Sequence, residues 1–374
     1  MEFLKPVEIG FRRFVLRALG LFVKRGTRLP SSIDFSRKKY LFVRQDRIGD
    51  VLVSTPLIHV LKQAYPDATV DFLLSSNNHF VLINEPLVRK RWIYRKSLAS
   101  AVQIIRAVRK EKYDFVIDLM DNPSATSTVL CMLAGGKWNV GLSKENEYAY
   151  DVVLPLLSRK DYHIIDRLAT LLTAFGISRD AMELKVHYRT QEESKSFAAE
   201  FFQTRSLKSQ MCIGVNISPG EGTRFWGTQH YQELIGWLRR ERPESRIIVL
   251  YQPSDKAVAE NIVRPFNDVV LSAETLSFDH FAALIERLAF LVTPDTSAVH
   301  LAAAFQIPSV VMYVQSNREL RIWEPYGSLS ESVITDVDDL RSIPVSKVTE
   351  ACSALFRDLD QLPERTPKSP LSPK

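Results

Sequence analysis

An α/β fold with two parallel sheets, one in each half of the chain, follows from three observations. From Lys39 onward short apolar runs alternate with stretches of helical spacing, the pattern of parallel strands joined by helices. The same succession of strand, glycine-bearing loop, helix, proline-containing break and strand opens at Tyr40 and again at Cys212. The length of 374 residues is about twice that of one ordinary domain. Such sheets take ligands at the carboxyl ends of their strands, and two facing sheets place the ligand in the cleft between them.

The first half opens on Tyr40-Leu-Phe-Val43, a buried strand, and a loop ending Arg47-Ile-Gly49-Asp50. Residues 51–64 have helical spacing, which Pro56 is expected to kink or restart. Tyr65-Pro-Asp-Ala ends the helix before a strand over 69–74. Further strands are expected over 115–119 and 152–156, and helices over 101–110 and 163–175. In the second half a strand over 212–217, the loop Ser218-Pro-Gly220-Glu-Gly222, a helix over 230–240 and a strand over 246–250 repeat the order. The polar stretch between them is taken as a linker. The organisation is thus a basic arm over 1–38, a first domain over 39–190, a linker helix region over 191–210, a second domain over 211–362 and a tail over 363–374. Four prolines in the last twelve residues mark the tail as disordered.

Hydrophobic residues make up 45% and charged residues 25% of the chain, which excludes wholesale disorder. Three scattered cysteines indicate neither a disulfide framework nor a cysteine zinc site, and suit a reducing compartment. Residues 1–40 hold ten Lys/Arg against three Asp/Glu, while the remaining 334 hold 39 against 40. A nucleic-acid-binding body should itself be basic, so that class is disfavoured. Within the arm Phe11, Val15, Ala18, Leu19 and Phe22 share one helical face, and Arg13, Arg17 and Lys24 the other. Its apolar stretch over 18–23 is too short to span a bilayer or to serve as a signal peptide. Such a helix, over residues 1–28, fits an anionic membrane surface or docks on the protein's own body.

Three segments carry candidate chemistry. Phe290-Leu-Val-Thr-Pro-Asp295-Thr296-Ser297-Ala298-Val-His300 runs from a strand into a helix N-terminus. That geometry holds a phosphate, or is simply a helix capped by Thr296 and Ser297. Asp50, after Gly49, stands at a helix start, where a carboxylate either caps the helix or accepts a proton from a substrate hydroxyl. Arg224, on the loop Ser218 to Trp226, carries a fork that suits a diphosphate or remains solvated. No GxGxxG occurs, which argues against a dinucleotide enzyme. The seven histidines lack metal-ligand spacing, so no metal site is expected; Asp336-Val-Asp338-Asp339 reads as a solvated turn, and the sequon Asn216-Ile-Ser218 as chance.

These segments, in this order, resemble glycosyltransferase family 9, the lipopolysaccharide heptosyltransferases. The likeness rests on Arg47-Ile-Gly-Asp-Val-Leu-Val-Ser-Thr-Pro-Leu57, on Ser218-Pro-Gly220 with Arg224 and Trp226, and on Asp295-Thr-Ser-Ala-Val-His-Leu-Ala-Ala-Ala304. Softer matches are Ile117-Asp-Leu119, Val140-Gly141 and Leu276-Ser-Phe-Asp-His-Phe-Ala-Ala-Leu284, and the whole covers roughly residues 39–345. The resemblance implies the GT-B architecture of two facing Rossmann-like domains. It also implies inverting transfer of heptose from an ADP-activated donor to a lipid-anchored core acceptor, with no cofactor or metal. By position, Asp50 resembles the family's general base, and Arg224 stands near the leaving diphosphate where the family usually has lysine. Ser218, Gly220, Asp255, Leu276, Asp295, Thr296, Ser297, Ala298 and His300 fall on the donor side, with Asp255 near the ribose. Arg47, Gly49 and Asn122 fall on the acceptor side, with the segments 121–124 and 139–151 as variable acceptor loops. The chain departs from the family in having Arg224-Phe-Trp-Gly227 for Lys-x-Trp-Pro and Asp295-Thr-Ser297 for Asp-Thr-Gly. The partners expected are a nucleotide sugar, a lipid-linked oligosaccharide and an anionic membrane, at the cytoplasmic face of a bacterial inner membrane. A sugar-nucleotide epimerase and a degenerate nucleotide-sugar-binding protein are the competing readings.

Overall fold

The computed structural model describes residues 33–207, 211–315, 317 and 319–361. The chain divides into two compact units. The first runs to Gln191 and takes back Glu319–Tyr326; the second begins at Glu192 and holds the rest.

In the first unit, β1 (Lys39–Val43), β2 (Thr69–Ser75), β3 (Lys90–Tyr94), β4 (Phe115–Asp118), β5 (Trp138–Leu142) and β6 (Val152–Leu154) form one sheet in the order β3-β2-β1-β4-β5-β6. Every neighbouring pair is parallel. The apolar runs of β1, β2 and β4 are buried on both faces, as helical crossovers require. On one face Leu41, Val43, Leu73 and Val116 pack under α3 (Leu98–Glu111) and α4 (Ala125–Ala134). On the other, Tyr40, Phe115 and Trp138 stack and Phe175 meets Tyr40 and Phe115 edge-on.

The second unit repeats the plan. Its strands are β7 (Cys212–Asn216), β8 (Arg246–Leu250), β9 (Val270–Leu271), β10 (Phe290–Pro294), β11 (Ser309–Tyr313) and β12 (Ser330–Ile334), in the order β12-β11-β10-β7-β8-β9. Counted within each unit, both orders are 3-2-1-4-5-6, the Rossmann arrangement, with the order reversing between the first and fourth strands. The repeated grammar of the sequence is therefore a repeated topology. Ligands of such sheets bind at that reversal, so the two places to search are the loops after β1 and β4 and those after β7 and β10.

Several expectations need correction. Pro56 restarts the helix: α1 (Ile48–Leu52) ends, and α2 (Thr55–Ala64) begins with the proline in its first turn. A proline lacks the amide that a continuous helix would need there, and in the first turn that amide has no partner to lose. The segment read as a linker is instead α6 (Glu192–Thr204) of the second unit, after α5 (Ile164–Ala169) of the first. There the Phe197 ring stacks 4.1 Å from that of His280. The helix read over 163–175 divides into α5 and a 3-10 turn over Thr170–Phe175. Of the supposed acceptor loop 139–151, the first part is the interior strand β5. Gly141 hid it, and Gly141 is needed there, because a Cβ would lie 2.3 Å from the Tyr150 ring. The basic edge strand β3 was not anticipated. The segments expected to form the N-terminal amphipathic helix and the disordered tail lie outside the described residues. Among the described residues, no helix is long and apolar enough to cross a membrane.

A pair of stacked imidazoles sits beside α2. The His59 and His187 rings are 3.5 Å apart, His59 Nε2 lies 3.1 Å from Glu85 Oε2, and the His187 amide donates to Thr55 Oγ1. Burial, with the adjacent His59 ring, pushes His187 down from 6.5 to about 4. The unfolded chain therefore takes up this proton first, and stability present above pH 6.5 is lost as the pH falls toward 4. Replacing the imidazole by a ring that cannot titrate, in His187→Phe, is expected to shrink the drop in melting temperature between about pH 7 and about pH 5. An unchanged drop would assign the acid sensitivity to other groups.

Candidate active site

At the reversal of the first sheet a buried cation organises the loops. The Arg44 side chain is fully buried. Its Nη1 donates to the Leu119 carbonyl at the end of β4, its Nη2 donates to Asp50 Oδ1 at 2.8 Å, and its Nε lies 3.0 Å from Asp46 Oδ1. Asp50 is the third residue of α1, and its Oδ2 accepts the Arg47 amide at 3.0 Å. Asp50 thus closes the first turn of α1 and pairs with a buried guanidinium. Burial drives the Asp46 carboxyl up to about 7, Arg44 opposing and Asp50 adding to the rise.

A second carboxylate, Asp121, follows β4. Burial alone would raise its pKa, but Arg44, Arg159 and Arg167 together hold it below the ordinary value. Arg159 Nη2 and Arg167 Nη1 reach its Oδ2 at 2.8 and 2.9 Å, and Arg159 also donates to Asn122 Oδ1. Beyond it Asp118 accepts from Ser127 Oγ at 2.6 Å, from Lys144 Nζ at 3.0 Å and from the Tyr150 hydroxyl. Of the acceptor-side expectations, Arg47 is exposed at the helix N-cap and Asn122 is tied to Arg159. Gly49 lies inside α1, so the turn is made by the residues before it and not at the glycine itself.

At the reversal of the second sheet the loop after β7 is anchored at both ends. Asp255, 6% exposed, accepts from Ser218 Oγ at 2.7 Å and from the Gly220 amide at 2.9 Å. A Cβ on Gly220 would sit 2.9 Å from Asp255 Cγ, so this contact requires glycine. At the far end the Trp226 indole is fully buried and donates to the Ile343 carbonyl at 2.9 Å. Gly227, where the family often has proline, has φ 112, a backbone that favours glycine. Between the anchors Arg224 remains 42% exposed; its Nη1 donates to the Asp295 carbonyl at 3.0 Å, and its Nη2 lies 3.6 Å from Asp295 Oδ2.

The structure therefore brings Arg224 and Asp295 together. Thr296 follows at the N-cap of α10 (Ser297–Phe305), accepting from the Ala298 amide at 3.3 Å, while Ala298 and His300 are buried within the helix. Leu276 is 83% exposed on the loop after β9. Asp255 spends its carboxylate on the 218–220 loop. Sequence reasoning missed Arg44 and Asn216. The latter, read only as a chance sequon, joins the ends of β7 and β10 by donating to Thr293 Oγ1 at 2.9 Å and accepting from the Ser218 amide at 3.3 Å. A polar residue closing an otherwise apolar strand was the available signal in both cases.

Residues 101–342 match the family model described as Glycosyltransferase family 9 (heptosyltransferase), well over half of the chain. The chain belongs to glycosyltransferase family 9. It is a glycosyltransferase enzyme with the GT-B fold of two Rossmann-like units. Lipopolysaccharide heptosyltransferase 3 of Escherichia coli K12 is 23% identical over 296 residues, 74% of this chain and 82% of that protein. Lipopolysaccharide heptosyltransferase 2 of the same strain is 23% identical over 298 residues, 75% and 83% of the two. The family 9 structure from Veillonella parvula superposes with a TM-score of 0.76 at 19% identity, over 88% of this chain and 100% of that one. E. coli heptosyltransferase WaaC with ADP gives 0.67 at 19% identity, over 87% and 100%. The family match begins after the Arg47–Leu57 segment and so does not include Asp50.

Within this family 9 chain the two loop anchors should be separable by mutation. Arg44→Met leaves Asp46 and Asp50 facing each other without a cation, and is expected to lower stability by about 3–5 kcal/mol in urea unfolding. Arg44→Lys should recover little of it, since an ammonium cannot span three acceptors as the planar fork does. Asp255→Ala strips partners from Ser218 and Gly220, and is expected to cost about 1–3 kcal/mol. A neutral result for either would show that the loop is held by other contacts.

Proposed function

We propose that this enzyme moves a heptose from an ADP-activated donor to a lipopolysaccharide core acceptor, inverting the anomeric centre. The observation that carries the reading is the chemistry at the two strand-order reversals: a guanidinium-held carboxylate, Asp50, in the first unit and an exposed guanidinium, Arg224, in the second. Inverting transfer asks for these two groups, one to take a proton and one to receive negative charge. The names of the family 9 relatives, lipopolysaccharide heptosyltransferases, and of a solved structure holding ADP supply the sugar, the acceptor class and the nucleotide.

In this mechanism Asp50 takes the acceptor hydroxyl's proton as oxygen attacks the anomeric carbon. Its two oxygens already accept from Arg44 and the Arg47 amide, which fixes the carboxylate's plane and leaves a lone pair on each. Arg224 meets the departing diphosphate with its planar fork. Asp295, adjoining it, binds the hydroxyls of the donor sugar, since a carboxylate facing phosphates would be repelled. Ser218 and Gly220 shape the phosphate loop, and Asp255 serves the donor through them. Thr296, Ser297, Ala298 and His300 form the helix end under the donor. The reaction as proposed uses no cofactor and no metal; the nucleotide sugar is a substrate. The workplace proposed is the cytoplasmic face of a bacterial inner membrane, where a lipid-linked acceptor would lie, with residues 1–28 against anionic lipid.

Asp50→Asn is expected to lower the turnover number by about 10²–10⁴-fold while ADP affinity stays within about twofold, measured by steady-state kinetics and calorimetry. Normal turnover would reduce Asp50 to a helix cap. Arg224→Ala should weaken ADP far more than adenosine. Among nucleoside diphosphates, ADP at a hundredfold excess over its dissociation constant should stabilise the protein by about 2.7 kcal/mol. Stronger stabilisation by another base would overturn the donor assignment.

A further inference from the structure

Outside the arm the chain is close to neutral, yet its charge is unevenly spread. Residues 89–112, covering β3 and α3, hold nine Lys/Arg and a single acidic residue, Glu111. β3 is an edge strand, and α3 follows it directly. Arg89 is paired with Asp71 and Glu111, and Lys90 with Glu111. Arg95, Lys96, Arg106, Arg109, Lys110 and Lys112 are exposed, and among the described residues none of them has an ion-pair partner. Arg95 and Lys96 precede α3, Arg106, Arg109 and Lys110 lie in its second half and Lys112 is its C-cap; the helix has 14 residues and is about 21 Å long.

Apolar surface lies among these cations. Trp92 and the helix residues Ala99, Val102 and Ala107 line an open groove of about 840 Å³, rimmed by Arg106 and Lys110. Val102 is 48% exposed, and the Lys90 ammonium lies 5.5 Å over the Trp92 ring. Edge strands are commonly guarded by lysine against pairing with other chains, and that accounts for charge on β3. It does not account for three more cations on the helix and a fourth at its C-cap, nor for a valine left in water between them. A nucleic acid would use the cations and gain nothing from Val102. An interface of anionic headgroups over acyl chains uses both, with Trp92 at headgroup depth and long basic side chains reaching outward.

We propose that the β3–α3 face of the first unit docks on the surface of an anionic lipid bilayer. This goes beyond the catalytic reading and does not rest on it, because vesicle binding needs neither donor nor acceptor. The face is made of residues other than 1–28. Each basic side chain near such a surface strengthens binding by on the order of fivefold at low salt.

The test is co-sedimentation of the full chain with phosphatidylglycerol/phosphatidylcholine vesicles. It is run in the natural chain and in one whose arm charge is lowered by Arg13→Gln, Arg17→Gln and Lys24→Gln. In both, adding Arg95→Gln, Lys96→Gln, Arg106→Gln and Lys110→Gln is expected to lower the partition coefficient at least tenfold at low salt, with the melting temperature unchanged. Should that variant melt early, Arg106→Gln/Lys110→Gln alone is expected to give at least a fivefold loss. Val102→Asp should weaken binding severalfold even at high salt, where the ionic part is screened. A partition coefficient within twofold of the parent in both chains overturns the proposal. So does a variant that loses single-stranded RNA or poly-glutamate binding while still sedimenting with vesicles.

Discussion

The guanidinium of Arg44 has no solvent on it and touches three elements at once: the loop after β1, the end of β4 and the first turn of α1. Its backbone adds β2, through an amide that donates to the Leu73 carbonyl, and the turn at Asn78, which donates to its own carbonyl. A buried cation without carboxylates around it would be untenable, and buried carboxylates without the cation equally so. Asp46, Asp50 and Asp121 together hold the Arg44 charge despite a burial that opposes it. The arrangement of the loops is therefore enforced by charge compensation more than by packing. Asp50 inherits a fixed position from that compensation.

The second unit solves the same topological problem with different bonds. One buried carboxylate, Asp255, and one amide side chain, Asn216, hold the loop after β7 through neutral donors, and Trp226 pins its far end. No buried guanidinium is spent there. Arg224 stays partly in water, touching the backbone of Asp295 and approaching its carboxylate only at 3.6 Å. A cation so loosely paired keeps donors for an incoming anion, while Arg44, fully buried, is out of an anion's reach. The two reversals thus divide the labour: one presents a carboxylate and the other a cation.

Much of this was legible in the residues. The apolar runs at Tyr40, Thr69, Cys212, Arg246 and Phe290 became strands because parallel strands buried on both faces show themselves as continuous apolar text. The repeated order of signals proved to be a repeated topology. Asp50, Arg224 and Asp295 were visible because they stand at strand-to-helix junctions, where local pattern is strongest. Arg44 and Asn216 were not, since the Leu119 carbonyl and Thr293 that they reach lie 75 and 77 residues away and no local spacing encodes those pairings. The strand β5 was masked by Asn139 and Gly141, residues depleted in strands, the second retained for the close approach of Tyr150. β3 was masked by its own cations, which an edge tolerates and an interior strand does not.

Fold and family converge on glycosyl transfer; in the proposed mechanism the first unit accepts the proton and the second the negative charge. The most direct test follows the anomeric centre itself. ADP-heptose and a heptose-lacking lipopolysaccharide core are mixed with the full-length enzyme and monitored by NMR at the anomeric proton, with ADP assayed in parallel. The account predicts that the donor signal gives way to the opposite anomer on the elongated core, with one ADP released per heptose transferred. Retention of configuration, ADP release without an elongated acceptor, or conversion of the donor into an epimeric nucleotide sugar would contradict it.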